Sequence, residues 1–279
     1  MIVDVYALLR HASAGLVDQL AVESLPAELE AIALRPYWFD GSSERLPGFV
    51  DLRDRKAGQA ARLLEHFDAS IKNGDAPSIS MLLFSATDEH ALRRHLTDRL
   101  TVRHNGRQAL LRYFDPRVLL QLSWMLSPAQ LSWLLGPIDR FAYCLADGWH
   151  LLERPQSEAV SGQGVDTQRI ARLGAINEVA FGLDAVTDRD DVIAISRGVE
   201  TALRRAEQLG FQDEDDRIAF AHHAITVHPR FDTHPQIVRL LASVNTQASY
   251  RDCAALLNAE DWQRIRDELD GNAQTRNVS

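Results

Sequence analysis

Ten histidines invite the first question, because imidazole binds metals and moves protons near neutral pH. A zinc site on a helix needs two ligands on one face. His90 and His95 are five apart and point in different directions, while His222 and His223 are adjacent and cannot chelate from one helix. His228 and His234 flank Pro229 and Pro235, in a segment that reads as a loop. Nothing in these spacings requires convergence, and we read the four later histidines as structural. The two cysteines, Cys144 and Cys253, form no C-x-x-C pair and are expected as buried thiols of a reducing compartment. Carboxylates are plentiful, but acid–base catalysis needs one held in an apolar pocket, and the sequence singles out none. The closest glycine pair, Gly162 and Gly164, is not followed by Lys-Ser/Thr, so there is no phosphate loop or dinucleotide fingerprint. A G-x-S-x-G elbow is also absent. The sequence therefore predicts no catalytic residue, no cofactor and no metal.

Side chains suited to gripping another protein are easier to find. Tyr37, Trp38 and Phe39 follow Pro36 in a segment that reads as a loop, and Trp and Tyr are enriched at interface hot spots. Arg112 and Arg117 are candidate partner-binding arginines, either able to hold a partner carboxylate bidentately. Asp115 is expected to cap a helix and to pair with Arg112 or Arg117. If that junction is buried, removing one partner costs several kcal/mol, of order 3–5. We therefore read the trio first as structural, with Asp115, Pro116, Gly136 and Pro137 as junction residues. Trp124 and Trp133 lie on amphipathic helices and are expected to fill the core.

The elements that would position these residues come in two styles. Val3 to Leu9 reads as a strand, with an amphipathic stretch after Ser13. Phe49 to Leu52 and Ile79 to Phe84 read as strands. A helix is expected from about Asp54 to Lys72, with Ala60, Leu63, Leu64, Phe67 and Ile71 on one face and Asn73-Gly74 as its stop. Thr87 is expected to cap a helix carrying Leu92, Leu96 and Leu100. Asn105-Gly106 suits a type I′ turn and predicts a hairpin between its flanks. Asp115-Pro116 and Ser127-Pro128 each place a cap before a first-turn proline. The second of these helices should end at Gly136-Pro137, before a hairpin turning at Asp147-Gly148.

Composition shifts after residue 153. Residues 154–166 hold Pro, Ser, Gln and two glycines with little apolar content, which reads as a linker. Beyond it five helices are expected, marked by Ile170 to Ala180, Val192 to Leu209, Ile218 to Ile225, Ile237 to Val244 and Trp262 to Leu269. The expectation is an α+β chain of two lobes: a mixed α/β lobe over 1–153, with a sheet containing hairpins, and an all-α lobe over 167–279. The acidic runs at 188–191 and 213–216 read as helix starts, where carboxylates favour the positive end of the dipole.

The 279 residues, 46% hydrophobic and 25% charged, suffice for a core without disulfides or metal. A formal charge of −9 argues against nucleic acid as the main partner. No apolar run is long enough to span a bilayer, and Met1 to Tyr6 lacks a basic signal-peptide region, so a cytoplasmic location is expected.

Residues 101–138 carry a pattern with a family likeness. Leu111-Arg112-Tyr113-Phe114-Asp115-Pro116-Arg117-Val118-Leu119, then Leu126 to Leu131 and Leu135-Gly136-Pro137-Ile138, resembles the signature of type VI secretion effector chaperones, also called adaptors, Tap or TEC. Tyr6 to Leu9, Leu34 to Gly41 and Phe49 to Leu52 fit the earlier part of the same domain, so the likeness spans about residues 3–153. It implies a protein that binds a toxic effector and loads it onto the VgrG spike, with no family catalytic residue to carry over. Two other classes remain open. One is a hydrolase effector, favoured by a deep pocket joining His222, His223 and a carboxylate; the other is an immunity protein that blocks a toxin.

Overall fold

The computed structural model describes residues 5–18, 25, 29–53, 62–63, 65–67, 69, 77–157, 166–183, 188–244 and 248–276. The chain divides into two compact units, Met1–Ala171 and Arg172–Ser279. Its architecture is mixed α+β, with a six-stranded antiparallel sheet in the first unit and a helical second unit.

The sheet is ordered β2-β3-β1-β4-β7-β8, with β1 Ala14–Asp18, β2 Ile32–Ala33, β3 Pro47–Asp51, β4 Ile79–Phe84, β7 Arg140–Leu145 and β8 Gly148–Glu153. Register places Phe49, Leu16, Met81, Tyr143 and His150 directly opposite one another in a row across five strands. Such opposed residues share a face, so the row is a continuous packing surface. The opposite face meets α1 (Val5–His11) and a helical stretch around Leu63 and Phe67, in a core built from Leu8, Leu9, Val17, Val50, Leu82, Phe84 and Trp149. Burial on both faces explains why β4 is apolar almost throughout rather than alternating.

Two sequence expectations fail at the start of this unit. Residues 5–9 are helical rather than extended, and the stretch after Ser13 is strand β1. A short apolar run fits either period. Here Leu8 and Leu9 are buried in the core beside the sheet, a use open to leucine in a helix. In the helix expected over 54–72, Leu63 and Phe67 are helical and buried; Ala60, Leu64, Ile71 and the Asn73-Gly74 stop lie outside the described residues.

Later elements follow the turn and cap signals closely. Helix α2 is Glu89–Arg99, capped by Asp88 rather than by its neighbour Thr87, with Leu92, Leu96 and Leu100 buried. Strands β5 (Thr101–His104) and β6 (Arg107–Leu110) form the expected hairpin, with positive φ at both Asn105 and Gly106. Helices α3 (Pro116–Met125) and α4 (Pro128–Leu135) start at Asp115 and Ser127, the second with a full capping box through Gln130. The hairpin β7–β8 turns at Ala146-Asp147, one residue earlier than Asp147-Gly148, and Gly148 opens β8 opposite Leu145. Of the linker expected over 154–166, residues 158–165 lie outside the described residues.

The expected helix over Ile170 to Ala180 is two, α5 (Thr167–Ala171) and α6 (Leu173–Phe181), interrupted at Arg172. The second unit continues with α7 (Arg189–Gln208), α8 (Glu214–Thr226), α9 (Pro235–Ser243), α10 (Tyr250–Ala254) and α11 (Ala259–Arg276). Asp188 and Asp213 cap α7 and α8, each accepting two backbone amides, so both acidic runs are helix starts. Two small elements went unseen in the sequence, the 3-10 turn Phe231–Thr233 and α10. They bring Phe231 and Tyr250 against Phe220 to form the aromatic centre of this unit.

Candidate functional site

Three places in the chain bear on function: the loop at Tyr37, the corner around Asp115 and Gly136, and a cleft in the helical unit. The loop is built by its own side chains. Arg35 donates through Nη1 to the carbonyls of Phe39 (3.0 Å) and Gly41 (3.3 Å), which closes the turn. The Phe39 ring lies 2.8 Å from where a Cβ at Gly41 would stand, so only glycine fits there without displacement. Trp38 donates from Nε1 to Thr101 Oγ1 at 2.8 Å, and Gln108 donates to the Tyr37 hydroxyl at 3.2 Å. These bonds tie the loop to the β5–β6 hairpin. The Tyr37 ring is 92% exposed while Trp38 and Phe39 are half-buried, meeting edge to face at 5.8 Å. The bonds of Arg35 and Trp38 order the loop that carries this ring, so less loop entropy remains to be lost on contact.

At the corner, Asp115 caps its helix and takes Arg117, one of its two expected partners. It accepts from the Arg117 backbone amide at 3.0 Å and pairs bidentately with the Arg117 guanidinium, Nε at 3.1 Å and Nη2 at 2.8 Å. Arg112 instead places its guanidinium over the Phe114 ring, 5.4 Å from the centroid. The Arg117 side chain is 55% exposed and that of Asp115 12%, so the junction is not a buried ion pair and the several-kcal/mol cost does not apply. Asp115 remains a helix cap, and Arg117 presents a fixed guanidinium at the surface.

Gly136 and Pro137 close α4. Gly136 has φ +54° and ψ −112°, a conformation L side chains rarely adopt. The helix leaves the Trp133 and Leu134 carbonyls without intrahelical partners, and α2 supplies both. Arg99 Nε donates to Trp133 O at 2.9 Å, and His95 Nε2 donates to Leu134 O at 3.0 Å. Burial, reinforced by the Arg99 charge, lowers the His95 pKa to about 4, so this imidazole is neutral at pH 7. Pro137 O accepts from Ser85 Oγ at 2.8 Å. Ser85 in turn exchanges bonds with Ser13, whose Oγ donates to Ser85 O at 2.7 Å. The corner is thus locked to the ends of β1 and β4. Trp124 and Trp133 are not core fillers: both are half-buried platforms for a guanidinium, Arg169 at 5.1 Å and Arg99 at 4.1 Å.

The helical unit contains an open cleft of about 540 Å³ lined in part by Glu178, Asp215, His222, His223, Arg251 and Trp262. His223 stacks on Trp262 with centroids 4.2 Å apart and shares a 2.7 Å hydrogen bond between Nδ1 and the Tyr250 hydroxyl. Its pKa is lowered to about 4, chiefly by burial and then by His222. Asp215 is paired with Arg251 at 2.5 Å. The other two histidines are used in place. His234 caps α9 and reaches Glu268 at 2.9 Å, and His228 Nδ1 accepts the Arg230 amide at 3.1 Å. Cys144 and Cys253 are both half-buried free thiols; burial, then Asp147, pushes the Cys144 thiol up to about 11.

Among the described residues no three His, Cys, Asp or Glu side chains converge as a metal site. No described helix is long and apolar enough to cross a membrane. What the fold defines is a mixed α+β unit with an ordered aromatic loop, joined to a helical unit. A family model described as Domain of unknown function (DUF4123) matches residues 5–132, a little under half of the chain. No curated protein and no solved structure matches it.

Proposed function

We propose that this chain is a cytoplasmic adaptor that binds a type VI secretion effector and delivers it to the VgrG spike. The matched domain, residues 5–132, falls within the segment that resembles the effector chaperones. The observation that carries the reading is the loop at 35–41, where Arg35, Thr101 and Gln108 fix a turn that presents Tyr37 to solvent. An exposed ring on an ordered support suits recognition of another polypeptide, with Arg112 and Arg117 as separate candidate polar contacts. Co-expression with candidate spike and toxin proteins should yield a complex retained through purification. Loss of the gene should abolish export of that toxin while leaving the secretion apparatus assembled. Unimpaired export would overturn the proposal.

A second reading, a hydrolase, is favoured by one observation: the helical-unit cleft joins His222, His223 and two carboxylates, Glu178 and Asp215. The His223 Nδ1 is engaged by Tyr250, and an imidazole with a pKa near 4 is a weak general base at neutral pH. Substrate turnover by the purified chain, lost in His223→Gln, would establish this reading over the adaptor.

A further inference from the structure

A second cleft, of about 390 Å³, lies in the first unit between the edge strand β2 and helix α2. Its walls carry Arg35, Arg93, Arg94 and His90 against a single carboxylate, Asp98. That is a concentration of positive charge on a chain whose formal charge is −9. Arg93 is held by Glu89 one turn back, at 3.2 Å, yet its Nε is buried with no hydrogen-bond partner among the described residues. Arg35 spends one nitrogen on the loop carbonyls and so holds its charge in place. Arg94 and His90 are exposed.

The strand edge supplies the other half of the site. β2 ends the sheet order. The Leu34 amide donates inward to Pro47 O at 3.0 Å, so alternation along the strand turns the N–H and C=O of Ala33 toward the edge that no described strand pairs with. A chain laid along that edge can exchange backbone hydrogen bonds with Ala33 while every second side chain points across to α2. Carboxylates at those alternate positions would meet Arg93 and Arg94. The same segment leads within four residues to the exposed Tyr37, giving the occupant an aromatic contact beyond the cleft.

We propose that this cleft docks an extended acidic peptide segment of a partner protein, by strand addition at β2 and carboxylate pairing with the arginines of α2. The inference rests on the adaptor reading and adds to it the place and chemistry of contact. The probe is a fluorescein-labelled nine-residue peptide alternating glutamate with valine, titrated with the full chain and followed by anisotropy. Binding is expected, weakened tenfold or more by Arg94→Glu and lost at high salt, with slowed amide exchange at Ala33 when peptide is bound. A peptide alternating glutamate with proline keeps the charge but removes strand-pairing amides, and is expected to bind at least tenfold more weakly. Failure of the glutamate–valine peptide to bind, equal binding by the proline peptide, or undiminished binding by Arg94→Glu with an unchanged melting temperature would overturn the proposal. Partner capture is scored separately. Arg94→Glu that loses the peptide but keeps the partner moves docking elsewhere and leaves the adaptor reading intact. A wild-type chain that binds the peptide but captures no spike or toxin refutes the adaptor reading alone.

Discussion

The imidazole of His95 occupies the space that a side chain at Gly136 would need. A Cβ at residue 136 would stand 2.2 Å from His95 Cε1 and 2.7 Å from its Nε2, while that nitrogen donates to Leu134 O. One glycine therefore serves two ends: it lets α4 stop in a conformation open to few other residues, and it admits the side chain from α2 that satisfies the end of that helix.

Gly136→Ala is expected to destabilise the first unit by about 2 kcal/mol or more, from the unfavourable backbone conformation together with the overlap. The overlap should be separable from the backbone cost. In His95→Ala the added methyl meets no ring, so the double variant should be less destabilised than the sum of the two singles. Urea unfolding of the four proteins measures this, and strict additivity would show that the ring and the glycine are not coupled.

Acid should loosen the protein in a defined window. His95 and His223 each have a folded pKa of about 4 against an ordinary 6.5, in both cases chiefly through burial. Between those values the unfolded chain binds more protons than the folded one, so stability is complete above pH 6.5 and falls as pH drops toward 4. His95→Gln keeps a donor for Leu134 O but does not titrate. Its unfolding midpoint should fall less than that of the wild type between pH 7 and pH 5, whatever its starting stability. An identical fall in both would assign the acid sensitivity to other groups.

What the sequence disclosed was local chemistry with few alternatives. Asn105-Gly106, Asp115-Pro116, Ser127-Pro128 and the two acidic runs each name a turn or cap by mechanism, and each sits where that mechanism places it. Residues 5–18 are not legible in the same way, because a five-residue apolar run does not choose its period; the sheet chooses for it. The site was less legible still. Trp38 meets Thr101 across 63 positions, and Tyr37 meets Gln108 across 71, so the ordering of the aromatic loop could not be seen in its own residues. Leu34 and Arg35 gave no signal for the basic cleft, because arginines spaced along a helix look like an ordinary solvated face until a strand edge lies beside them.

The corner at Asp115 can now be tested for its separate duties. Arg117→Ala removes an exposed ion pair and should cost less than about 1 kcal/mol. Asp115→Ala also removes the helix cap and should cost about 1 kcal/mol more. Partner capture that weakens in Arg117→Ala, with thermal stability nearly unchanged, identifies that guanidinium as a direct contact. A large stability loss in the same variant would instead mean that the pair is far less exposed in solution than its geometry indicates.

Tyr37 offers the cleanest separation of fold from function. Its ring is almost wholly exposed, and its hydroxyl accepts one bond from a half-buried glutamine, so Tyr37→Ala should leave the melting temperature within about 1 °C of wild type, because surface changes of this kind stay within a few tenths of a kcal/mol. If the loop is a recognition surface, truncating its outermost ring should weaken partner binding by roughly 2 kcal/mol, or about thirtyfold. Trp38→Phe should behave in the opposite sense. It keeps an aromatic ring but removes the bond to Thr101, so it should loosen the loop and lower stability while leaving Tyr37 present. Comparing the two by calorimetric titration against the co-purified partner distinguishes a ring that touches the partner from a loop that merely completes the fold. Equal, near-wild-type affinity in both variants would remove the loop from the interface and leave the strand-edge cleft as the place to look.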